Sequence, residues 1–137
     1  MSTAQLRESL KKRACETIDR LKNDLEAISH DIHAHPEENF EEHHAHKLLT
    51  EAIADNGHKV TRKAYGLDTA FESTIGTQGA TVAVLCEYDA LPGIGHACGH
   101  NIIAAAGLGA GLALAGLAEE AGGRLKLMGT PAEEGGG

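Results

Sequence analysis

Two segments of this chain carry the residues whose types and spacing could do chemistry. Residues 87–101 place two carboxylates, two imidazoles and one thiol in a turn-rich stretch directly after an apolar run. Residues 129–135 place the adjacent carboxylates Glu133 and Glu134 after a second predicted strand. Thiolates, imidazoles and carboxylates all bind or support divalent metals. Because ligands in open α/β sheets lie beyond the carboxyl ends of strands, we predict that the two segments form one site.

Cys98 and His100 are the candidate ligands of the first segment. In an extended backbone, side chains two residues apart point the same way, so both could reach one ion. The neighbouring Glu87, Asp89 and His96 favour this interpretation, since a ligating imidazole needs a carboxylate partner. The alternative is a free buried thiol beside a loop histidine.

The paired carboxylates of the second segment suit metal-assisted hydrolysis. One of them can coordinate a metal while its neighbour accepts a proton from the attacking water. Two alternatives stay open at this point. Glu133 and Glu134 could form a solvated acidic turn, or Cys98 could be a nucleophile paired with His100 or His96, which would leave the acidic pair without a role.

The apolar periodicity predicts two N-terminal helices. Apolar residues recur at three- and four-residue steps from Leu6 to Ile32, and Pro36 ends that pattern. A second helix is predicted over about residues 41–54, with Asn56 and Gly57 as its stop signal.

A mixed sheet with a βαβ unit is predicted for the rest of the chain. Short strands are expected over 59–65 and 69–75, and residues 81–86 are typical of a strand buried on both faces. A Gly/Ala-rich helix within 102–118 and a strand over 124–128 complete the unit. The glycines at 107, 109 and 111 lack the dinucleotide-loop spacing, so we interpret them as sites of close helix packing.

The net charge and the cysteine content limit which kinds of binding partner and which cellular compartment we expect. A formal net charge of -8 argues against nucleic acid and anionic membranes, and the uncharged run 102–118 is too short to span a bilayer. The three cysteines show no disulfide framework, and the polar N-terminus lacks the apolar core of a secretory signal. We therefore expect reduced thiols and a cytoplasmic location.

The motifs of this chain, taken together, resemble those of the aminoacylase-like metallopeptidases, the peptidase M20 family. The resemblance is closest to the amidohydrolase branch, which includes aminoacylase-like and aminobenzoyl-glutamate hydrolases. The motifs that carry it are residues 35–37 and 40–43, 87–92, 96–100 and 129–137. Asn101 departs from the Asp that many branch members have after Cys-Gly-His, which fits the aminobenzoyl-glutamate and dipeptidase-like subgroup better.

The resemblance implies an α/β fold, the N-terminal part of a zinc-peptidase-like catalytic domain. It also implies a metal-dependent hydrolase of amide bonds in N-acyl amino acids or small peptides, with an N-acyl amino acid or a dipeptide as the substrate. It implies a two-metal centre in the complete enzyme, with Cys98, His100 and Glu134 as metal ligands. The mixed thiolate, imidazole and carboxylate donors suit Zn²⁺, whereas completion by further carboxylates would favour Mn²⁺. Glu133 would be the general base that activates water and later protonates the leaving amine. Asp89 would orient the metal centre.

The resemblance covers only the first third of such an enzyme. The family's further histidine ligands and its lid domain, which also makes the homodimer, are absent from these 137 residues. We therefore expect residues 1–137 to be an incomplete catalytic domain with little or no activity alone, and we interpret the glycine run at 135–137 as an interruption of a longer protein. The alternatives are a natural flexible tail and a non-catalytic fragment or binding module.

Overall fold

Three helices and a four-stranded mixed sheet make up the protein in a computed structural model that describes residues 1–136. The helices are α1 (Thr3–Ala34), α2 (His43–Asp55) and α3 (His100–Ala115). A capping box starts α1, because the Ser2 hydroxyl accepts from the Gln5 amide while the Gln5 side chain accepts from the Ser2 amide. Both predicted N-terminal helices are confirmed. Their ends lie within about two residues of the predicted ones, except that α1 begins three residues before Leu6.

The sheet has the order β1-β2-β4-β3. Its strands are β1 (Thr61–Arg62), β2 (Phe71–Ile75), β3 (Thr81–Cys86) and β4 (Arg124–Gly129). β2 pairs antiparallel with β1 and β4, whereas β3 and β4 are parallel and joined through α3. The predicted mixed sheet and βαβ unit are therefore confirmed, and the carboxyl ends of β3 and β4 meet at one edge.

The first predicted strand is much shorter than the sequence suggested. Only Thr61 and Arg62 pair with β2, because Lys63 and Tyr65 adopt left-handed backbone angles with φ of 55° and 58°. Lys63 directly precedes a 3-10 turn at Ala64–Gly66, which contains Tyr65 and reverses the chain before β2. Left-handed backbone cannot continue a strand, so the prediction over 59–65 was wrong for most of its length.

β3 is more exposed than its apolar sequence predicts. We expected a strand buried on both faces, but β3 lies at the edge of the sheet, and Val82 and Leu85 are 58% and 47% exposed. Among residues 1–136, no further strand covers the free edge of β3. Only Cys86, at the carboxyl end of β3, is fully buried.

Helix α3 approaches the sheet at a distance that only glycine permits. A Cβ atom on Gly107 would lie 2.5 Å from the carbonyl oxygen of Leu85 and 2.9 Å from the Cys86 sulfur. A Cβ atom on Gly111 would lie 2.6 Å from a side-chain carbon of Leu127 in β4. The interpretation of the glycines as close-packing positions is confirmed.

None of the helices in residues 1–136 combines the length and apolar character that crossing a bilayer requires.

We expect Gly107→Ala to lower the free energy of unfolding by about 1–3 kcal/mol, because the added methyl group meets backbone that cannot move aside. Urea denaturation followed by far-UV circular dichroism measures this change. Gly116→Ala is the matched control, since Gly116 ends the same helix at φ -72° and a Cβ there meets nothing within 4 Å. Equal stability of the two variants would contradict the packing argument.

Candidate metal centre

His100 is oriented by the loop that follows β3. It is the first residue of α3, it is only 4% exposed, and Gly99 before it has a left-handed backbone with φ 85°. The Nδ1 atom of His100 lies 2.8 Å from the backbone carbonyl oxygen of Asp89. A carbonyl oxygen can only accept, so Nδ1 carries the proton and the lone pair of Nε2 is free to bind a ligand.

Three carboxylates surround the free nitrogen of His100. The Nε2 atom lies 3.6 Å from a carboxylate oxygen of Glu87, 3.6 Å from one of Glu133 and 3.9 Å from one of Glu134. Among residues 1–136, no Lys or Arg forms an ion pair with any of these carboxylates. Negative groups that converge without a cationic side chain repel one another, and a bound cation would relieve that repulsion.

Ligand atoms of the right chemistry converge in two overlapping groups. Atoms of Cys98, His100 and Glu134 lie within 4.8 Å of one another, and so do atoms of Glu87, His100 and Glu133. Cys98 is a free, exposed thiol. A thiolate, an imidazole and carboxylates are a donor set that Zn²⁺ accepts, so the residues fit a metal ion.

Asp89 connects the loop after β3 to the acidic loop, the segment 130–136 that follows β4 and carries Glu133 and Glu134. Its side chain is fully buried, and its Oδ2 atom accepts a 2.9 Å hydrogen bond from the Glu134 amide. Its Oδ1 atom lies 3.1 Å from His100 Nδ1 but outside hydrogen-bond geometry, and it has no hydrogen-bond partner within residues 1–136. Asp89 thus lies behind the imidazole on the side away from the other carboxylates.

A second buried carboxylate, Glu42, holds the acidic loop from the other side. Glu42 is fully buried just before α2, and it accepts hydrogen bonds from the Ala132 amide at 2.8 Å and from the Thr69 hydroxyl at 2.9 Å. Ala132 has a left-handed backbone with φ 59°, an uncommon conformation for alanine, and Glu133 begins a 3-10 turn directly after it. Two buried carboxylates therefore hold the turn that carries the acidic pair: Glu42 binds the amide of Ala132, and Asp89 binds the amide of Glu134.

The structure brings together Cys98, His100, Glu133, Glu134 and Asp89, the residues to which the sequence analysis assigned a metal-site or catalytic role. The Cys98 thiol and the His100 imidazole lie with the carboxylates of Glu133 and Glu134 at one edge of the sheet. Asp89 lies directly beside them. The geometric reason given for Cys98 and His100 was wrong, however. Cys98 lies in a turn, and the left-handed Gly99 rather than an extended backbone aligns it with His100.

Two side chains at or beside the candidate site were missed by the sequence analysis. Glu87 was noted as a neighbour but not as a ligand candidate, although it is as close to His100 as Glu133 is. Glu42 gave no signal beyond its place in the 40–43 motif, because its partners lie 27 and 90 residues away in the chain. A contact between residues so far apart in the sequence cannot be predicted from local sequence patterns.

His96, the second imidazole of the motif, lies in a different environment. It is 7% exposed, and neither ring nitrogen has a hydrogen-bond partner within the described residues. Burial, with a smaller contribution from the nearby His33, lowers the pKa of His96 below its usual value. His96 is therefore a buried ring without a hydrogen-bond partner among the described residues, and it was not among the predicted ligands.

Comparison with known proteins shows that the chain is similar to peptidases and amidohydrolases. No family model matches the chain. The chain is 43% identical over 150 residues to an Xaa-Arg dipeptidase of Mus musculus, covering 99% of this chain and 35% of that protein. It is 34% identical over 128 residues to a p-aminobenzoyl-glutamate hydrolase chain of Escherichia coli (strain K12), covering 80% of this chain and 27% of that protein.

The fold agrees with the sequence comparison. A dinuclear metal-binding peptidase of the M20 family from Bacillus subtilis superimposes with a TM-score of 0.76 at 25% identity, covering 85% of this chain and 36% of that one. The chain is a homologue of M20 peptidases and amidohydrolases, and the resemblance found in its motifs is confirmed. It corresponds to the N-terminal part of their catalytic domain and spans about a third of the length of the curated relatives it matches.

Proposed function

We propose that this chain carries part of the active site of a metal-dependent hydrolase that cleaves amide bonds in N-acyl amino acids or dipeptides. One observation carries the proposal. The thiol of Cys98 and the carboxylates of three glutamates surround the oriented imidazole of His100; the glutamates are Glu87, Glu133 and Glu134. The homologues support the reaction class, since they are named as a dipeptidase and an aminobenzoyl-glutamate hydrolase.

Cys98, His100 and Glu134 would hold a divalent ion. When bound, such an ion polarises the carbonyl under attack and lowers the pKa of water toward neutrality. The mixed sulfur, nitrogen and oxygen donors favour Zn²⁺, while completion by further carboxylates would favour Mn²⁺. The dinuclear neighbour supports two ions in the complete enzyme, and Glu87 is a candidate ligand for the second.

Glu133 has the position of a general base. Its carboxylate is half exposed and lies within 3.6 Å of His100 Nε2, so it faces both the ligands and the solvent from which substrate enters. From there Glu133 can accept a proton from the attacking water and return it to the departing amine. Asp89 acts as a positioning residue, because it fixes the Glu134 backbone and lies against the His100 ring.

Residues 1–137 are proposed to be one part of a catalytic domain. The remaining ligands, and a lid domain that makes a homodimer, would come from segments corresponding to the other two thirds of the homologues. The free thiols at 15, 86 and 98 support a reducing, cytoplasmic location. The alternative, a non-catalytic module that keeps the fold, has the same geometry but predicts no response to substrate analogues.

The test is binding of a substrate analogue to the metal-loaded chain. After Co²⁺ substitution, we expect a thiolate-to-metal charge-transfer band and a change in that spectrum when a hydroxamate of an N-acyl amino acid is added. Glu133→Gln should keep the band, since Glu133 is not among the proposed ligands of this ion. We expect hydrolysis by the 137 residues to be slow or absent. A Co²⁺ complex without thiolate character would overturn the proposal.

A further inference from the structure

A second group of metal-type side chains lies where α1 meets α2, at a site distinct from the candidate metal centre. Asp31 is in the last turn of α1, His35 caps that helix, and His44 is in the first turn of α2. Ligand atoms of the three residues lie within 4.8 Å of one another. None of them contributes to the site around His100.

Both imidazoles converge on one carboxylate oxygen. The Oδ1 atom of Asp31 lies 2.8 Å from Nδ1 of His35 and 2.9 Å from Nε2 of His44. The same Nδ1 atom of His35 also lies 2.9 Å from the backbone carbonyl oxygen of Asp31, so it carries a proton when no ion is bound. Asp31 and His35 are four residues apart, and the spacing places them on one face at the end of the helix. The backbone of His44 is held independently, because its amide donates to the Glu37 carboxylate at 2.8 Å.

The separations are close to those of a tetrahedral ion site. Bonds of about 2.0–2.1 Å at tetrahedral angles put neighbouring ligand atoms roughly 3.3 Å apart. The three side chains would therefore open by about half an ångström to admit an ion, and their exposure allows it, since the His35 side chain is 58% exposed and those of Asp31 and His44 are each 37% exposed. Solvent is available to complete the coordination.

We propose that Asp31, His35 and His44 form a second, structural Zn²⁺ site. The ion would take the place of the hydrogens that His35 Nδ1 and His44 Nε2 direct at Asp31, and each ring would then carry its proton on its other nitrogen. One carboxylate and two imidazoles are ligands that Zn²⁺ prefers. The ion joins the end of α1 to the start of α2. Since Glu42 lies two residues before His44 and holds the acidic loop, this junction also supports the candidate metal centre.

The test counts bound Zn²⁺ by equilibrium dialysis of the full chain and of variants, with far-UV circular dichroism to confirm folding. In a Cys98→Ser, Glu134→Gln background, we expect one equivalent of Zn²⁺ to remain and to raise Tm. Adding His44→Ala or Asp31→Asn should remove that equivalent. His43→Ala is the matched control, because His43 is exposed on the same turn and contacts Glu41 instead.

Spectroscopy separates this site from the candidate metal centre. Co²⁺ bound by Asp31, His35 and His44 should give ligand-field bands without a thiolate charge-transfer band. If the Cys98 and Glu134 variant does not fold, His44→Ala in the native chain should still lower the Zn²⁺ count by one and leave any thiolate band intact. The proposal is overturned if no equivalent remains in that background, or if His44→Ala leaves the count unchanged.

Discussion

Replacing Cys98 with Ser and Glu134 with Gln together is expected to reduce affinity for Zn²⁺ or Co²⁺ at the candidate metal centre by well over 100-fold. The loss should exceed the roughly 10–100-fold that removal of an outer-shell partner costs, because two proposed ligands are lost at once. Glu134→Gln keeps the backbone amide that donates to Asp89, so the acidic loop should stay in place. Isothermal titration calorimetry with a competing chelator measures the change.

The control for this experiment is Cys15→Ser. Cys15 is also a free, exposed thiol, but it lies on α1 away from the acidic loop. Its loss should leave affinity and the thiolate charge-transfer band unchanged. If the Cys98 and Glu134 double variant kept the native affinity of the thiolate-bearing site, the ligand assignment would be wrong.

Replacing Glu42 with Ala is expected to lower the free energy of unfolding by roughly 2–4 kcal/mol. The substitution leaves the Ala132 amide and the Thr69 hydroxyl without their partner in a fully buried place, and each unsatisfied buried group costs about 1–3 kcal/mol. The acidic loop should also lose its anchor, so metal affinity is expected to fall by roughly tenfold or more. Urea denaturation and metal titration measure the two effects.

Two variants define what Glu42 contributes. Glu42→Gln keeps a carbonyl oxygen for Ala132, and the Thr69 hydroxyl can turn to donate or accept, so this change should be much milder. Glu41→Ala removes a neighbouring but exposed carboxylate and should stay within about 0.5 kcal/mol of the native protein. A Glu42→Ala protein as stable as Glu41→Ala would mean that the acidic loop holds its shape without Glu42.

The parts of the fold that local patterns encode were predictable. The three-and-four-residue repeat of α1, its stop before Pro36 and the apolar run of β3 each depend on neighbours in sequence. The shortening of β1 was not predictable in this way. It depends on left-handed backbone at Lys63 and Tyr65, residue types for which that conformation is uncommon.

The exposure of β3 shows the limit of reading burial from composition. Its continuous apolar sequence predicts cover on both faces, yet Val82 and Leu85 are exposed, because burial depends on which elements lie alongside the strand. Sequence alone indicates how much apolar surface a strand carries. It does not say what covers that surface.

For this protein the amino-acid sequence by itself determined the helices, the βαβ order and the chemical types of Cys98, His100, Glu133 and Glu134 at two strand ends. Local periodicity and the rule that ligands gather at those ends were sufficient. Only the tertiary structure decided which nitrogen of His100 is free, that Glu87 joins the site and that Glu42 anchors the acidic loop. These features arise from contacts between residues far apart in the chain, and such contacts are set by packing of the whole domain rather than by any local pattern.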